Sequence, residues 1–323
     1  MAPVPIPDPI AMIRDYYADL AKARDAGPQT PVGVIRGSSI GSQPRKQLLL
    51  RADGNYPPEV KTDRSMRTFE VGDQRHDSLR VALVAKMKKL GVLGKSRIPT
   101  SKDQEEEWEI DLGVRCSKTG ENWRVVGHPD GVMESIMWKG QRYDRVLLEI
   151  KTTSAMGWKD IQAGIVDQAY LDQAQLYMGA ADLRHALFVY EKKDTQHLDG
   201  VLIDFDRARY DYLLRLAQYV VQQVEAGVDP LHVEPCHGES FGWESTRKKV
   251  DNRYVTFDAL GWKCSYCDFA KYCFPTHVRM VMGGKPLCVP FEQVPADAVV
   301  VAHGVEVTPR STWKLCIEGE EES

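Results

Sequence analysis

No apolar run in this 323-residue sequence approaches the roughly 18 residues that a membrane-spanning helix needs, so no membrane association is expected. The N-terminus also lacks a basic segment followed by an apolar stretch. No signal peptide is therefore expected, and the expected location is cytoplasmic. Nor is there an excess of positive charge. The 42 Lys and Arg stand against 46 Asp and Glu, a formal net charge of -4, which is not the overall footprint of a nucleic-acid binder. There is no internal repeat. Seven cysteines, an odd number in a chain without a secretory signal, argue against a disulfide framework. What remains is 43% hydrophobic and 27% charged residues, the balance of a globular chain long enough for one large core with appendages.

The most informative stretch runs from Gly127-His128-Pro129-Asp130-Gly131 to Leu148-Glu149-Ile150-Lys151-Thr152-Thr153. Tyr143 to Thr152 is rich in Val, Leu and Ile between polar residues and reads as a strand. Alternation puts Glu149 and Lys151 on one face with Leu147, and Val146, Leu148 and Ile150 on the other. Trp123 to Met133 reads as a neighbouring strand that brings Asp130 alongside, with Gly131 allowing close approach of backbone or ligand. Two carboxylates can hold a hard divalent cation, and a lysine beside them can orient or deprotonate a water.

Around this stretch the patterns predict a mixed α/β chain. Residues 1–35 read as a proline-rich extended segment and a helix carrying Ile10, Met12, Ile13, Tyr16, Tyr17 and Leu20, with Asp8 as its cap. Arg64 to Leu90 suits one long helix on which Gly72 and His76 share a face, the glycine letting the helix approach the sheet. Glu109–Cys116, Trp123–Met133 and Tyr143–Thr152 read as an antiparallel meander, with turns at Lys118-Thr119-Gly120 and Lys139-Gly140. A helix over Trp158–Ala181 follows, with Gln173 and Tyr177 on one face, then strands at His185–Tyr190 and Val201–Phe205 and an amphipathic helix over Arg207–Glu225. Although net charge is negative, acids concentrate at Asp103–Glu109 and Glu318–Glu322. Basic groups gather at Arg45-Lys46, Arg64/Arg67, Lys86-Lys88-Lys89, Lys192-Lys193 and Arg247-Lys248-Lys249, which a folded groove can align along a phosphate backbone.

Asp130 with Glu149-x-Lys151 resembles the core of the PD-(D/E)xK nucleases. Gly72-x-x-x-His76 and Gln173-x-x-x-Tyr177 resemble motifs of the RecB-like exonuclease branch, as found in CRISPR adaptation and in phages. Each motif alone is ordinary, but together they run in the family's order from roughly residue 36 to 275. The resemblance implies a restriction-endonuclease-like nuclease core over 36–230, a cysteine-bearing segment over 231–282 completing it, and a tail over 283–323 of no assigned role. It further implies a metal-dependent deoxyribonuclease, an exonuclease of recombination, repair or phage replication, leaving a 5′-phosphate and a 3′-hydroxyl. In that reading His76, Asp130, Glu149 and the Ile150 carbonyl hold Mg²⁺ or Mn²⁺, Lys151 positions or activates water, and Gln173 and Tyr177 fix the geometry. DNA is the implied substrate, with a helicase, recombinase or single-strand-annealing protein as partner. Two other classes stay open: a non-catalytic DNA-binding or scaffold subunit, and a site-specific endonuclease.

Cys264-x2-Cys267-x5-Cys273 resembles the C-terminal cysteine cluster of the same branch, and such spacing suits an iron–sulfur cluster, a Zn²⁺ site or reduced structural thiols. A fourth ligand is missing from the run. Candidates are His277, Cys116, Cys236, Cys288 and Cys316. Ser38 to Leu50 resembles the segment that carries the family's first cluster cysteine just before Pro-Arg, but Gln43 stands at that place.

Overall fold

The structure is a computed structural model; it describes residues 31–51, 63–90, 96–100, 106–236, 242–250, 253–265 and 267–274, strands reaching residue 307, and scattered positions elsewhere. The chain divides into two compact units, one of residues 28–42 and 67–227, the other of residues 1–27, 43–66 and 228–323. Residues 43–66, read from sequence with the 36–230 core, fall in the second. Of the N-terminal helix only a few positions within 12–20 are described, where the Tyr16 and Tyr17 rings meet edge to face. No helix among the described residues is long and apolar enough to cross a membrane.

The first unit is mixed α/β, as the sequence patterns predict. Strand β1 (Val34–Arg36) lies parallel to β3 (Asn122–Gly127), which pairs antiparallel with β2 (Trp108–Arg115). A second sheet has the order β4 (Gly131–Trp138), β5 (Gln141–Thr153), β6 (His185–Lys192), β7 (Leu198–Asp204). The pair β5–β6 is parallel and its neighbours are antiparallel. A parallel pair needs a crossover, and the helices between β5 and β6 supply it.

The expected meander is therefore split between two sheets. Trp123 to Met133 is not one strand, because Pro129 has no N–H to give to a ladder and the chain turns there from one sheet to the other. This break places Asp130 at the junction, one residue before the Gly131–Leu148 pair. The expected helix over 158–181 is likewise two helices, α3 (Ala155–Gln162) and α4 (Gln168–Ala180). Gly164 takes a left-handed φ of +77° just after α3, and the Asp167 carboxylate caps the Ala169 N–H at 2.8 Å to start α4.

Strand β5 is buried on both faces, and its alternation is the one expected. Leu147 joins Ala186, Phe188, Leu176, Met178 and, from α5 (Arg207–Glu225), Leu213 and Val221 in one core. Val146, Leu148 and Ile150 join Met133 and Leu187 beneath Leu79 and Leu83 of the long helix. That helix spans Asp63–Lys89; it is α2, following the short α1 (Pro44–Leu49). Burying a Leu or Phe side chain of this kind stabilises by about 1.5–3 kcal/mol each, so these two cores fix the register of β5. Gly72 does not act as predicted. A Cβ there would meet nothing within 4 Å, so α2 needs no glycine to reach the sheet, and contact is made a turn later.

The second unit contains α1, a hairpin of β8 (Trp243–Val250) and β9 (Arg253–Leu260), the one-turn helices α6 (Trp262–Ser265) and α7 (Ala270–Cys273), and a sheet ordered β11 (Lys285–Pro290), β10 (His277–Met282), β12 (Val299–Ala302), β13 (Val305–Val307). The Arg45 guanidinium of α1 is buried and donates to the carbonyls of Leu231 (2.9 Å) and Val233.

Candidate active site

Strand β5 delivers Glu149 and Lys151 to one face, the turn before β4 delivers Asp130, and α2 delivers His76. The Ile150 N–H donates to Asp130 Oδ2 at 2.6 Å, which locks this carboxylate to the strand. His76 Nε2 lies 2.9 Å from Asp130 Oδ2 and 2.9 Å from the Ile150 carbonyl. Lys151 Nζ donates to Glu149 Oε2 at 2.7 Å. Five of the seven residues predicted for this site thus fall in two hydrogen-bonded groups, His76–Asp130–Ile150 and Glu149–Lys151, carried next to each other along β5. The other two are joined to each other on α4, where Gln173 Nε2 donates to the Tyr177 hydroxyl at 3.0 Å. The charges of Glu149 and Asp130 raise the Tyr177 phenol and that of Lys151 lowers it.

The electrostatics follow from burial. Glu149 is 1% exposed. Desolvation pushes its carboxyl up to about 7, with Asp130 adding to the rise and Lys151 opposing it. Burial also disfavours the charge on Asp130, but the His76 hydrogen bond and the Lys151 charge outweigh it and hold this carboxyl below its usual range. Burial works against the Lys151 ammonium too, yet Glu149 and Asp130 raise it above the ordinary lysine range. Lys151 is therefore a cation at neutral pH, a donor and not a base. Burial, with the nearby Glu149 charge, pushes Tyr177 up to about 12.

Glu149 Oε1 is buried without a hydrogen-bond partner. An unsatisfied buried carboxylate oxygen costs on the order of 1–3 kcal/mol or more, and the charges of Asp130 and His76 act on this carboxyl. Two carboxylates, an imidazole and a main-chain carbonyl are donor types that a divalent cation takes. Among the described residues, no three His, Cys, Asp or Glu side chains share one coordination sphere. The groups in mutual contact are His76, Asp130 and the main-chain oxygen of Ile150, with Glu149 next along the strand.

Three participants were not read from sequence. Arg80 Nη2 lies 3.1 Å from His76 Nδ1 and 3.0 Å from Asp77 Oδ1. A guanidinium only donates, so Nδ1 accepts and the imidazole proton sits on Nε2. The spacing of Asp77 and Arg80 to His76 on one helix was a usable signal. The Tyr170 ring lies 5.1 Å from Lys151 Nζ as a cation–π partner, one turn before Gln173. Gly127 is the third. A Cβ there would stand 2.3 Å from Tyr177 Cε1 and Oη, so the absence of a side chain lets the phenol lie against β3. A cleft of about 700 Å³ is lined by Arg97, Trp108, Pro129, Gly131 and Arg145 but also by Glu106, Glu107, Glu109 and Glu134, and Asp130 does not line it.

In the second unit, Cys264, Cys267 and Cys273 are free thiols, as is Cys236. Burial pushes Cys236 up to about 11, and the charges of Cys267, Cys273 and Cys264 raise it further. Cys116 is elsewhere, fully buried in the core of the first unit beside Trp123. Cys316 and the side chains of His277 and Cys288 lie outside the described residues.

No protein-family model matches the chain, and no curated protein matches it in sequence. Among solved structures it is similar to SSO0001, at 15% identity and a TM-score of 0.48 over 81% of this chain and 96% of that one. It is also similar to an alkaline exonuclease from Laribacter hongkongensis, at 15% identity and TM-score 0.40 over 66% of this chain and 93% of that one. A phage-related exonuclease from Haemophilus somnus 129PT follows at 15% identity and TM-score 0.28, over 64% of this chain and all of that one. These likenesses are too distant to carry an activity to this chain, whose chemistry has to be argued from its own side chains.

Proposed function

We propose that the chain is a metal-dependent DNA nuclease of the RecB-like type, acting from DNA ends. The observation that carries the reading is the buried Glu149 carboxylate, one oxygen without a partner and the other bonded to Lys151, on the strand whose Ile150 N–H holds Asp130. His76, Asp130, Glu149 and the Ile150 carbonyl would hold Mg²⁺ or Mn²⁺, and the imidazole favours Mn²⁺, because nitrogen ligands suit transition metals better than Mg²⁺. When bound, the ion supplies Lewis-acid stabilisation of the phosphate and lowers the pKa of a water.

The chain's own residues do the rest. Lys151, permanently protonated, donates to an oxygen of the attacking water or of the scissile phosphate and offsets developing negative charge. Glu149 fixes the Lys151 head at 2.7 Å, and the Tyr170 ring lies 5.1 Å from the ammonium. Gln173 holds the Tyr177 phenol in place as a neutral donor, since its pKa of about 12 keeps it protonated. If His76 Nε2 held a cation, the imidazole would carry its proton on Nδ1, where Arg80 Nη2 now donates, and the Arg80 donor would keep Asp77 Oδ1, 3.0 Å away, as its acceptor. End-labelled single- and double-stranded DNA, linear and circular, incubated with Mn²⁺ or Mg²⁺ tests the proposal. Release of labelled nucleotides from linear substrates with circles intact supports it, and cleavage of circles would point to the endonuclease alternative. No hydrolysis with either metal would favour the non-catalytic subunit.

A further inference from the structure

One buried polar group beside the candidate site takes no part in the chemistry above. Tyr190 of β6 stands in register with Lys151 of β5, and Phe188 with Glu149. Neighbouring strands run about 4.8 Å apart, so paired residues carry their side chains side by side on one face; Phe188 and Tyr190 accordingly share a core with Leu147. Tyr190 is 2% exposed, and its ring stacks on Phe188 with centroids 6.1 Å apart and planes at 22°. Its hydroxyl is buried too, yet finds no hydrogen-bond partner among the described residues. Phenylalanine fills the same space without desolvating an unpaired hydroxyl, so packing does not account for this oxygen. Burial holds the phenol above its ordinary range, and at neutral pH it is an intact O–H with lone pairs to offer.

The residue across from it is the one whose anchor is conditional. The Lys151 ammonium has three N–H bonds, one of which goes to Glu149 Oε2 at 2.7 Å. A carboxylate that shares its charge with a divalent cation attracts an ammonium less, and the cation repels the ammonium directly. To stay in the site the head then needs an uncharged acceptor, and its flexible four-carbon stem allows it to turn to one. We propose that Tyr190 is a positioning residue for Lys151: its hydroxyl oxygen accepts an ammonium N–H when Glu149 engages a cation, and so keeps the lysine head in the site. The inference rests on the cation-binding reading of Glu149. One oxygen then has two opposite effects, unpaired and destabilising in the cation-free chain, paired and favourable in the occupied site.

Tyr190→Phe in the full chain removes that oxygen alone and tests the proposal. In EDTA the variant should melt at the wild-type temperature or above it, because only an unpaired hydroxyl is lost. Calorimetry should show Mn²⁺ binding about tenfold more weakly, the weight of one hydrogen bond to a charged group. On end-labelled linear DNA at saturating Mn²⁺, kcat should fall about tenfold with KM within about twofold, since Tyr190 orients Lys151 and does not touch DNA. A lower melting temperature in EDTA, or failure to fold, would mean that the hydroxyl is already paired in the cation-free chain and would overturn the proposal. Mn²⁺ affinity or kcat at the wild-type value in Tyr190→Phe would overturn it as well, leaving the cation reading intact. A wild type that binds no Mn²⁺ would remove the cation reading and this proposal with it. A wild type that binds Mn²⁺ and cleaves no DNA would refute the nuclease reading alone, and the calorimetry would still decide for or against Tyr190.

Discussion

Replacing Glu149 with glutamine should make the metal-free protein more stable and, in the same stroke, inactive. The carboxyl is pushed from 4.5 up to about 7 by burial, so the folded chain binds its proton more tightly than the unfolded chain does. Its stabilising contribution is full below about pH 4.5 and is lost as pH rises through about 7. At about 1.4 kcal/mol per unit, this shift is on the order of 3 kcal/mol. Glutamine resembles the protonated carboxyl, still accepts from Lys151 and never ionises. Asp130 is shifted the opposite way, acts only at more acid pH and is common to both proteins. In EDTA, the melting temperature of Glu149→Gln relative to wild type should therefore climb between pH 4.5 and 8. For a domain of 150–250 residues, at about 2–4 °C per kcal/mol, the climb is about 6–12 °C. Adding Mn²⁺ at a hundred times its Kd should restore about 2.7 kcal/mol to wild type at pH 8 and far less to the variant. Parallel pH–melting curves, or an equal response to Mn²⁺, would show that Glu149 is neither the strained carboxylate nor a metal ligand.

The remaining predictions concern other groups of the first unit. His76→Ala should raise the Mn²⁺ concentration for half-maximal cleavage about tenfold while lowering the saturated rate less, since water can replace one neutral ligand; unchanged metal dependence would make His76 a packing residue. Gly127→Ala drives a methyl into the Tyr177 ring and should cost about 1–3 kcal/mol in denaturant unfolding, with cleavage impaired; wild-type values in both would refute the close approach. Arg209 makes two 2.7 Å bonds to the buried Asp172, so Arg209→Met should cost about 3 kcal/mol or more, and the double change to Met and Leu less than that, by the same unfolding measurement.

What could be read from sequence was what obeys a local period. Glu149 and Lys151 alternate with buried aliphatics, so the faces of β5 followed from the pattern, and the 185–190, 201–205 and 207–225 elements came from the same kind of signal. Breaks inside apolar runs did not. Helical periodicity continues through Gly164, and only the glycine and the Asp167 cap mark the interruption; the strand signal likewise continues through Pro129. Gly72 misled because helical spacing tells which residues share a face and not which turn meets the sheet. Tyr170 over Lys151 depends on how the crossover returns, which leaves no mark in local spacing.

Cleavage of end-labelled linear DNA by wild type and Asp130→Asn at saturating Mn²⁺ tests the central claim most directly. Asparagine keeps the size of the side chain and an oxygen for the Ile150 N–H at the locked 2.6 Å contact, but removes the charge that a divalent cation requires. Wild type should release nucleotides only when metal is present, and Asp130→Asn should lose at least about a hundredfold in rate, on the order of 2.7 kcal/mol, while melting as a folded protein. Metal-independent cleavage by wild type, or full activity in Asp130→Asn, would contradict the account.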